Sequence, residues 1–250
     1  MAKRHDAIGI KQVVRLEWYD VTLNMLLGGM PAKQIRVELD KYIGERLQSG
    51  GYGERGEQTY VKAVAQLMKC WVAPDRDLLP MRDDALVKAQ TCEKGERIIL
   101  HWAMMSAAYP FWFKVAQQVG RLFNLQEIVS QSQIRSRCYE AFGERSTIER
   151  SARRVIRTFV AWGVLKDSEA KGCYEMSAPL LITDRDLAGV LIESALHATP
   201  EGKLPLGAAL NAPSFFPFKI PVMTGGMLSN QSNRVTVDRY GLDDELLKLK

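Results

Sequence analysis

The stretch SQSQIRSRCYEAFGERSTIERSARRVIRTFVAWGVLKDSEAKGCYEM, residues 130–176, decides how this chain is read. Ile134, Cys138 and Phe142 recur at one-turn spacing, which predicts a helix from Ser130 to Phe142 that Gly143 ends. Ser146 followed three residues later by Glu149 has the form of a capping box, so a second helix is expected to start there. That helix runs to Trp162 and stops at Gly163. Two helices joined by a short glycine-containing turn have the outline of a helix-turn-helix. Past Gly163, apolar Val164 and Leu165 give way to the polar run Lys166 to Gly172, and Cys173 to Met176 alternates again. This pattern predicts a β-hairpin with a charged tip. Helix, turn, helix, hairpin is the order of a winged helix, with the hairpin as its wing.

The second helix sorts its residues onto two faces. At 100° per residue from Arg150, Arg153 falls at about 300°, Arg154 at about 40° and Arg157 at about 340°. Ile148, Ala152, Val155, Ile156 and Phe159 lie opposite, between about 140° and 240°. One face suits a core and the other presents guanidinium groups. Like charges at this spacing cost a helix roughly a few tenths of a kcal/mol per pair. Glu144 and Glu149 offset only part of that. A phosphate backbone would offset more, and arginine can also read guanine edges in the major groove. Arg135, Arg137 and Arg145 add charge just upstream, and Lys166 and Lys171 are placed for wing contacts to phosphates. From Arg135 to Arg157 seven arginines face three glutamates, a local balance of +4 beside +5 for the whole chain. The expected DNA-binding residues are therefore Arg135, Arg137, Arg145, Arg150, Arg153, Arg154, Arg157, Lys166 and Lys171. A merely solvated face, or one that meets protein or RNA, is the competing reading of the same stripe.

Upstream the pattern is helical. Gln12 to Leu27 is expected as a helix stopped by Gly28 and Gly29, and Pro31 opens another that runs to about Leu47. Residues 49–53, Ser-Gly-Gly-Tyr-Gly, read as a flexible break. Thr59 to Trp71 and Met81 to Ala89 are further helical pieces. Ile98 to Phe113 holds 16 residues without a charge, short of the roughly 20 that a membrane span needs. It reads as a buried core helix that ends or kinks at Pro110, resumed by Phe111 to Leu122. Trp102, Met104, Met105, Tyr109, Phe111, Trp112 and Phe113 are expected in that core.

Downstream, Leu180 to Ile192 reads as a helix or strand–helix edge. Leu204 to Phe218 carries Pro205, Pro213 and Pro217 and reads as a loop or docking segment. Val235 and Val237 alternate with polar residues, which predicts a strand, and Asp243 to Leu249 is expected as a short helix. The expected fold is mainly α. It has a helical domain at 1–124, a winged-helix-like domain at 125–198 and a Pro/Gly-rich extension at 199–250 with a terminal strand and short helix.

The composition, 46% hydrophobic and 25% charged over 250 residues, supports a packed core and excludes a disordered or collagen-like chain. The N-terminus, MAKRHDAIGIKQ, has no apolar leader, so a cytoplasmic protein without a membrane partner is expected. Cys70, Cys92, Cys138 and Cys173 are too scattered for a metal or redox motif and are expected as reduced thiols. His101 sits in the most apolar segment as an expected core histidine. His197, with Glu193 and Ser194, lacks the geometry of a catalytic triad. Asp75, Asp77, Asp83, Asp84, Asp184 and Asp186 show no spacing that demands a carboxylate cluster. A non-catalytic protein with no cofactor is expected.

Three stretches together carry a family resemblance. They are Trp18-Tyr19-Asp20 to Leu27 with Gly28-Gly29, Trp102 to Pro110 with its continuation to Arg121, and Ser146 to Arg157 ending in Gly163-Val164-Leu165. In these the chain resembles, from about Val14 to Ile192, the BrxA-type proteins of bacterial BREX phage-defence systems, a family once labelled as inner-membrane proteins. The resemblance implies a small helical protein that binds double-stranded DNA in antiviral defence, beside partners such as a methyltransferase and an ATPase. It implies no catalytic residues and no cofactor. A non-catalytic scaffold of a defence complex and a winged-helix transcriptional regulator are the alternatives. The Thr199 to Gly226 stretch is where the chain departs from the family pattern.

Overall fold

The computed structural model describes residues 2–46, 57–240 and 244–250. The expected helix end at Leu47 and the glycine break at 49–53 lie outside these residues. The fold is mainly α-helical with short β-elements. Helix α1 (Ala2–Asp6) leads to α2 (Leu16–Leu27) and α3 (Ala32–Gly44). Helix α2 starts four residues later than its apolar pattern suggests, because residues 12–15 run extended or bent and bury Gln12 and Val14. Pro31 caps α3 from outside rather than entering it. Helix α4 (Glu57–Leu67) widens into a π-helical turn at Met68–Val72, which carries Cys70 and Trp71 into the core.

Helix α5 (Leu79–Thr91) precedes α6 (Arg97–Ala108), nearly every residue of which is buried. The break after α6 is dictated by Pro110. A residue before proline is pushed out of the helical region, and Tyr109 sits at φ −133°, ψ 81°. Pro110 then opens α7 (Pro110–Phe123), where a missing N–H costs nothing.

Strand β1 (Ile128–Ser130), which the sequence does not announce, leads into α8 (Gln131–Phe142). Ser130 caps α8 in a full capping box with Gln133: Gln133 N donates to Ser130 Oγ at 3.2 Å, and Ser130 N to Gln133 Oε1 at 2.9 Å. Gly143 ends α8 at φ 82°, ψ 154°, a region essentially restricted to glycine. Helix α9 (Ser146–Ala161) follows after two more residues, and Gly163 leaves it at φ 73°. The expected capping box at Ser146 does not form. Ser146 is already helical, Arg145 holds the cap position, and no side chain caps the helix.

The predicted hairpin is present as β2 (Leu165–Asp167) and β3 (Cys173–Met176). It is completed by β1 into an antiparallel sheet of order β1-β3-β2. Next come β4 (Leu180–Leu181), α10 (Arg185–Ala198), β5 (Lys203–Pro205), α11 (Leu206–Leu210), β6 (Phe218–Lys219) and α12 (Gly225–Gln231). Strand β7 (Val235–Tyr240) fulfils the alternation of Val235 and Val237. The expected terminal helix is instead strand β8 (Asp244–Leu249), with Asp243 outside the described residues. Pairing decides it: β8 lies between β5 and β7 and buries Leu247 completely.

Helix α10 packs along α6, buried over its last turns on every side. The Leu204–Phe218 stretch docks inward. Phe216 and Phe218 stand edge-on to Trp102 at centroid distances of 5.7 and 5.5 Å. Trp102 also stacks on Phe159 of α9 at 5.0 Å and meets Trp162 at 6.1 Å. Side chains from all three expected segments thus share one aromatic cluster. Such contacts contribute roughly 0.5–1.5 kcal/mol per pair beyond area burial. Among the described residues, no helix is long and apolar enough to cross a membrane.

Candidate nucleic-acid interface

Helix α9 is held by its apolar face. Ile148, Ala152, Val155, Ile156 and Phe159 are all buried, as the wheel predicts, and Trp112 of α7 meets the Phe159 ring at 4.6 Å. Ser151 and Thr158 widen the buried arc, and Thr158 returns its hydroxyl to the Arg154 carbonyl at 2.8 Å. Trp162 locks the helix end by donating from Nε1 to the Val14 carbonyl at 3.0 Å. The opposite face of α9 is thereby turned outward.

The nine expected residues do not share one environment. Arg135 of α8 is bound to Glu149 of α9 at 3.3 Å, and Tyr139 Oη donates to the other Glu149 oxygen at 3.0 Å. These two bonds, the tyrosine's first, hold the Glu149 carboxyl below its ordinary value. This is what became of the expected cap: Glu149 serves the α8–α9 contact. Arg137 pairs with Glu140 on its own helix at 3.2 Å. Arg145 donates to the Phe142 carbonyl at 3.0 Å. Arg157 reaches from α9 to Asp167 of β2 at 2.5 Å, and Lys166 bridges to Glu175 across the β2–β3 pair at 2.9 Å.

Arg150, Arg153 and Arg154 remain. Arg150 donates Nε to the Ser146 carbonyl at 3.3 Å, and none of the three has a carboxylate within 4 Å among the described residues. Arg150 and Arg153 are exposed and Arg154 is half-buried. Burial first, and then the charge of Arg150, lowers the Arg154 pKa. Lys171, on the exposed tip between β2 and β3, has no carboxylate partner either. The nearby acids Glu149 and Glu175 are hydrogen-bonded elsewhere, and Arg153 acts on Glu149 only through space, as the last and smallest of the influences on its carboxyl.

One cation was missed by sequence reasoning. Lys114 of α7 and Arg145 line a cleft of about 310 Å³ at the foot of α9, together with His5, Phe111 and Phe142. The only signal was that Lys114 is the first charge after a long charge-free run. Arg157 was legible as part of the stripe, but its tie to Asp167 was not.

Catalytic groupings fare differently. Asp75 and Asp77 pair with Arg4, Asp83 with Arg82, and Asp84 with Lys88 and Arg234. Asp184 caps α10 by accepting from Asp186 N at 2.7 Å. Among the described residues, no three His, Cys, Asp or Glu side chains gather as a metal site. His101 is a satisfied core histidine, with Trp71 Nε1 donating to Nδ1 at 3.1 Å and Asp20 Oδ1 lying 3.2 Å from Nε2. All four cysteines are reduced; Cys70 and Cys138 are buried and Cys92 and Cys173 half-buried. No family model, curated protein or solved structure matches the chain.

Proposed function

We propose that this protein binds duplex DNA, with α9 facing a groove and the β2–β3 hairpin lying on the flanking backbone. The reading treats α7, β1, α8, α9, β2 and β3 as a winged helix. What supports it is the element order together with the β1-β3-β2 sheet. In helix-turn-helix proteins the second helix of the pair enters the major groove, and α9 occupies that position.

One observation carries the proposal. Arg150, Arg153 and Arg154 share an outward face without a carboxylate partner, while Arg135, Arg137, Arg157 and Lys166 are locally paired. Same-charge neighbours are an expense to the free protein that phosphates remove. Arg150, Arg153, Arg154 and Lys171 are the primary contacts, with Arg145 and Lys114 on the backbone beside them. The resemblance to the BREX accessory family adds the setting: a non-catalytic cytoplasmic component of phage defence that acts with larger partners.

The test is fluorescence anisotropy with unrelated duplexes across a salt series. Binding should weaken linearly in log salt, with a slope of roughly −0.9 per phosphate neutralised. Arg150→Ala, Arg153→Ala and Arg154→Ala combined should flatten that slope by about two to three contacts while the circular dichroism spectrum is kept. Unchanged affinity in the folded triple variant overturns the assignment of this face. No duplex binding near physiological salt favours a scaffold instead. Binding confined to one operator favours a transcriptional regulator. Loss of phage resistance on deleting the gene tests the setting.

A further inference from the structure

A cleft of about 210 Å³ lies where α2 and α6 approach the exit of α9, lined by Leu16, Asp20, Lys94, Ile98, Trp162 and Val164 among others. Its walls are mostly apolar, and its polar groups are few and opposite in sign. Asp20 is placed by a buried relay. Trp71 Nε1 donates to His101 Nδ1 at 3.1 Å, so Nδ1 keeps its lone pair and the ring proton sits on Nε2. Nε2 then donates to Asp20 Oδ1 at 3.2 Å. His101 is completely buried, and that burial, against the pull of Asp20, keeps its pKa below the ordinary value.

Asp20 therefore receives a neutral hydrogen bond. No lysine or arginine lies within 4 Å of its carboxylate among the described residues. Lys94, on the short turn before α6, likewise has no carboxylate within 4 Å. Two opposite charges face one apolar cleft, and they do not pair with each other.

We propose that this cleft binds a free amino acid with an apolar side chain, its ammonium on Asp20 and its carboxylate on Lys94. A zwitterion is the ligand that satisfies both charges at once. Pockets for drug-sized molecules run to about 300–1,000 Å³, so this smaller volume suits an amino-acid-sized one. Leu16, Ile98, Trp162 and Val164 supply the wall for its side chain. The His101 relay holds Asp20 in a fixed orientation, which limits the ordering that binding must impose. Gly163, the joint between α9 and β2, also lines the cleft. An occupant thus touches the joint between the arginine helix and the hairpin. Control of DNA affinity from here rests on the DNA-binding reading; occupancy of the site does not.

Isothermal titration calorimetry of the full chain tests the site with L-leucine, 3-methylbutylamine and 4-methylpentanoate. L-leucine should bind, and each singly charged analogue should bind about tenfold or more weakly, the effect of one charge-assisted bond. Asp20→Asn keeps an acceptor for His101 but removes the charge, and should weaken L-leucine about tenfold or more. Lys94→Gln, on an exposed turn, should do the same and remains decisive if Asp20→Asn fails to fold. No heat with L-leucine at millimolar concentration, an amine that binds as tightly as the zwitterion, or unchanged affinity in Lys94→Gln overturns the proposal. Duplex affinity measured with and without L-leucine reads the coupling separately. Calorimetric binding without such a change overturns the coupling alone.

Discussion

Arg157 Nη1 stands 2.5 Å from Asp167 Oδ1, so the last arginine of the α9 stripe is turned onto the hairpin rather than outward with its neighbours. The pair ties helix to strand ten residues apart, at the end of β2 that adjoins the hairpin tip. Both partners are near half exposed, at 42% and 57%, so solvent screening keeps the energy small. Arg157→Ala should lower stability by about 0.5 kcal/mol in urea unfolding. It should reduce duplex affinity less than Arg153→Ala does. The reverse order of the two affinities would reassign the contact surface.

Among the described residues, Glu193 is the most deeply buried carboxylate in an ion pair. It is 2% exposed, and Arg234 donates to it from Nε at 2.7 Å and Nη2 at 2.8 Å. Burial alone would push its pKa up, but His197, with Nε2 at 3.6 Å, and the hydrogen-bonded Arg234 together hold the carboxyl below its ordinary value. A lowered folded pKa gives stability that is full above the unfolded value and is lost as pH falls through the folded one. The loss therefore falls below about pH 4.5. Glu193→Gln should cost about 3 kcal/mol at neutral pH, because Arg234 keeps only Asp84. The variant should also show a flatter decline in acid. An equally steep decline would mean that other carboxylates dominate there.

Gly120 of α7 sits against the turn at Pro213–Phe215. A Cβ built on it would meet the Pro213 carbonyl oxygen at 1.9 Å. Gly120→Ala should destabilise by about 1–3 kcal/mol, the usual cost of overpacking. Gly207→Ala, where nothing lies within 4 Å, is the control and should be near neutral. Equal thermal shifts in the two variants would show that the docked segment yields easily.

The thiols should separate kinetically. Burial pushes Cys70 and Cys138 up to about 12, while Cys173 is half-buried at the start of β3. Only the thiolate is nucleophilic. Iodoacetamide at about pH 8 should label Cys173 on the native protein and reach Cys70 and Cys138 only on unfolding, as read by peptide mass spectrometry. Rapid native labelling of Cys138 would reveal local opening of α8.

Much of the fold was legible because it is written in short periods. The break at Pro110, the two faces of α9 and the hairpin after Gly163 each depend on residues a few positions apart. Local sterics and one-face burial are properties of a single element, so one sequence determines them without its neighbours. The same holds for the candidate site at its coarsest: a stripe of arginines opposite an apolar face.

Only the tertiary structure decided which of those charges were already taken. Arg135 finds Glu149 fourteen residues away, Arg157 finds Asp167, and Asp20 finds His101 across 81 residues. The short strands obey the same logic. Residues 244–249 carry no strand signal strong enough alone, yet become β8 because β5 and β7 offer backbone partners on both sides. Ser146 has the right residue type for a cap, but Arg145 holds the cap position and Glu149 accepts from Arg135 and Tyr139 instead. Pairing energy between distant elements is invisible to a local pattern, because nothing in the period of one segment records what the other will bring against it.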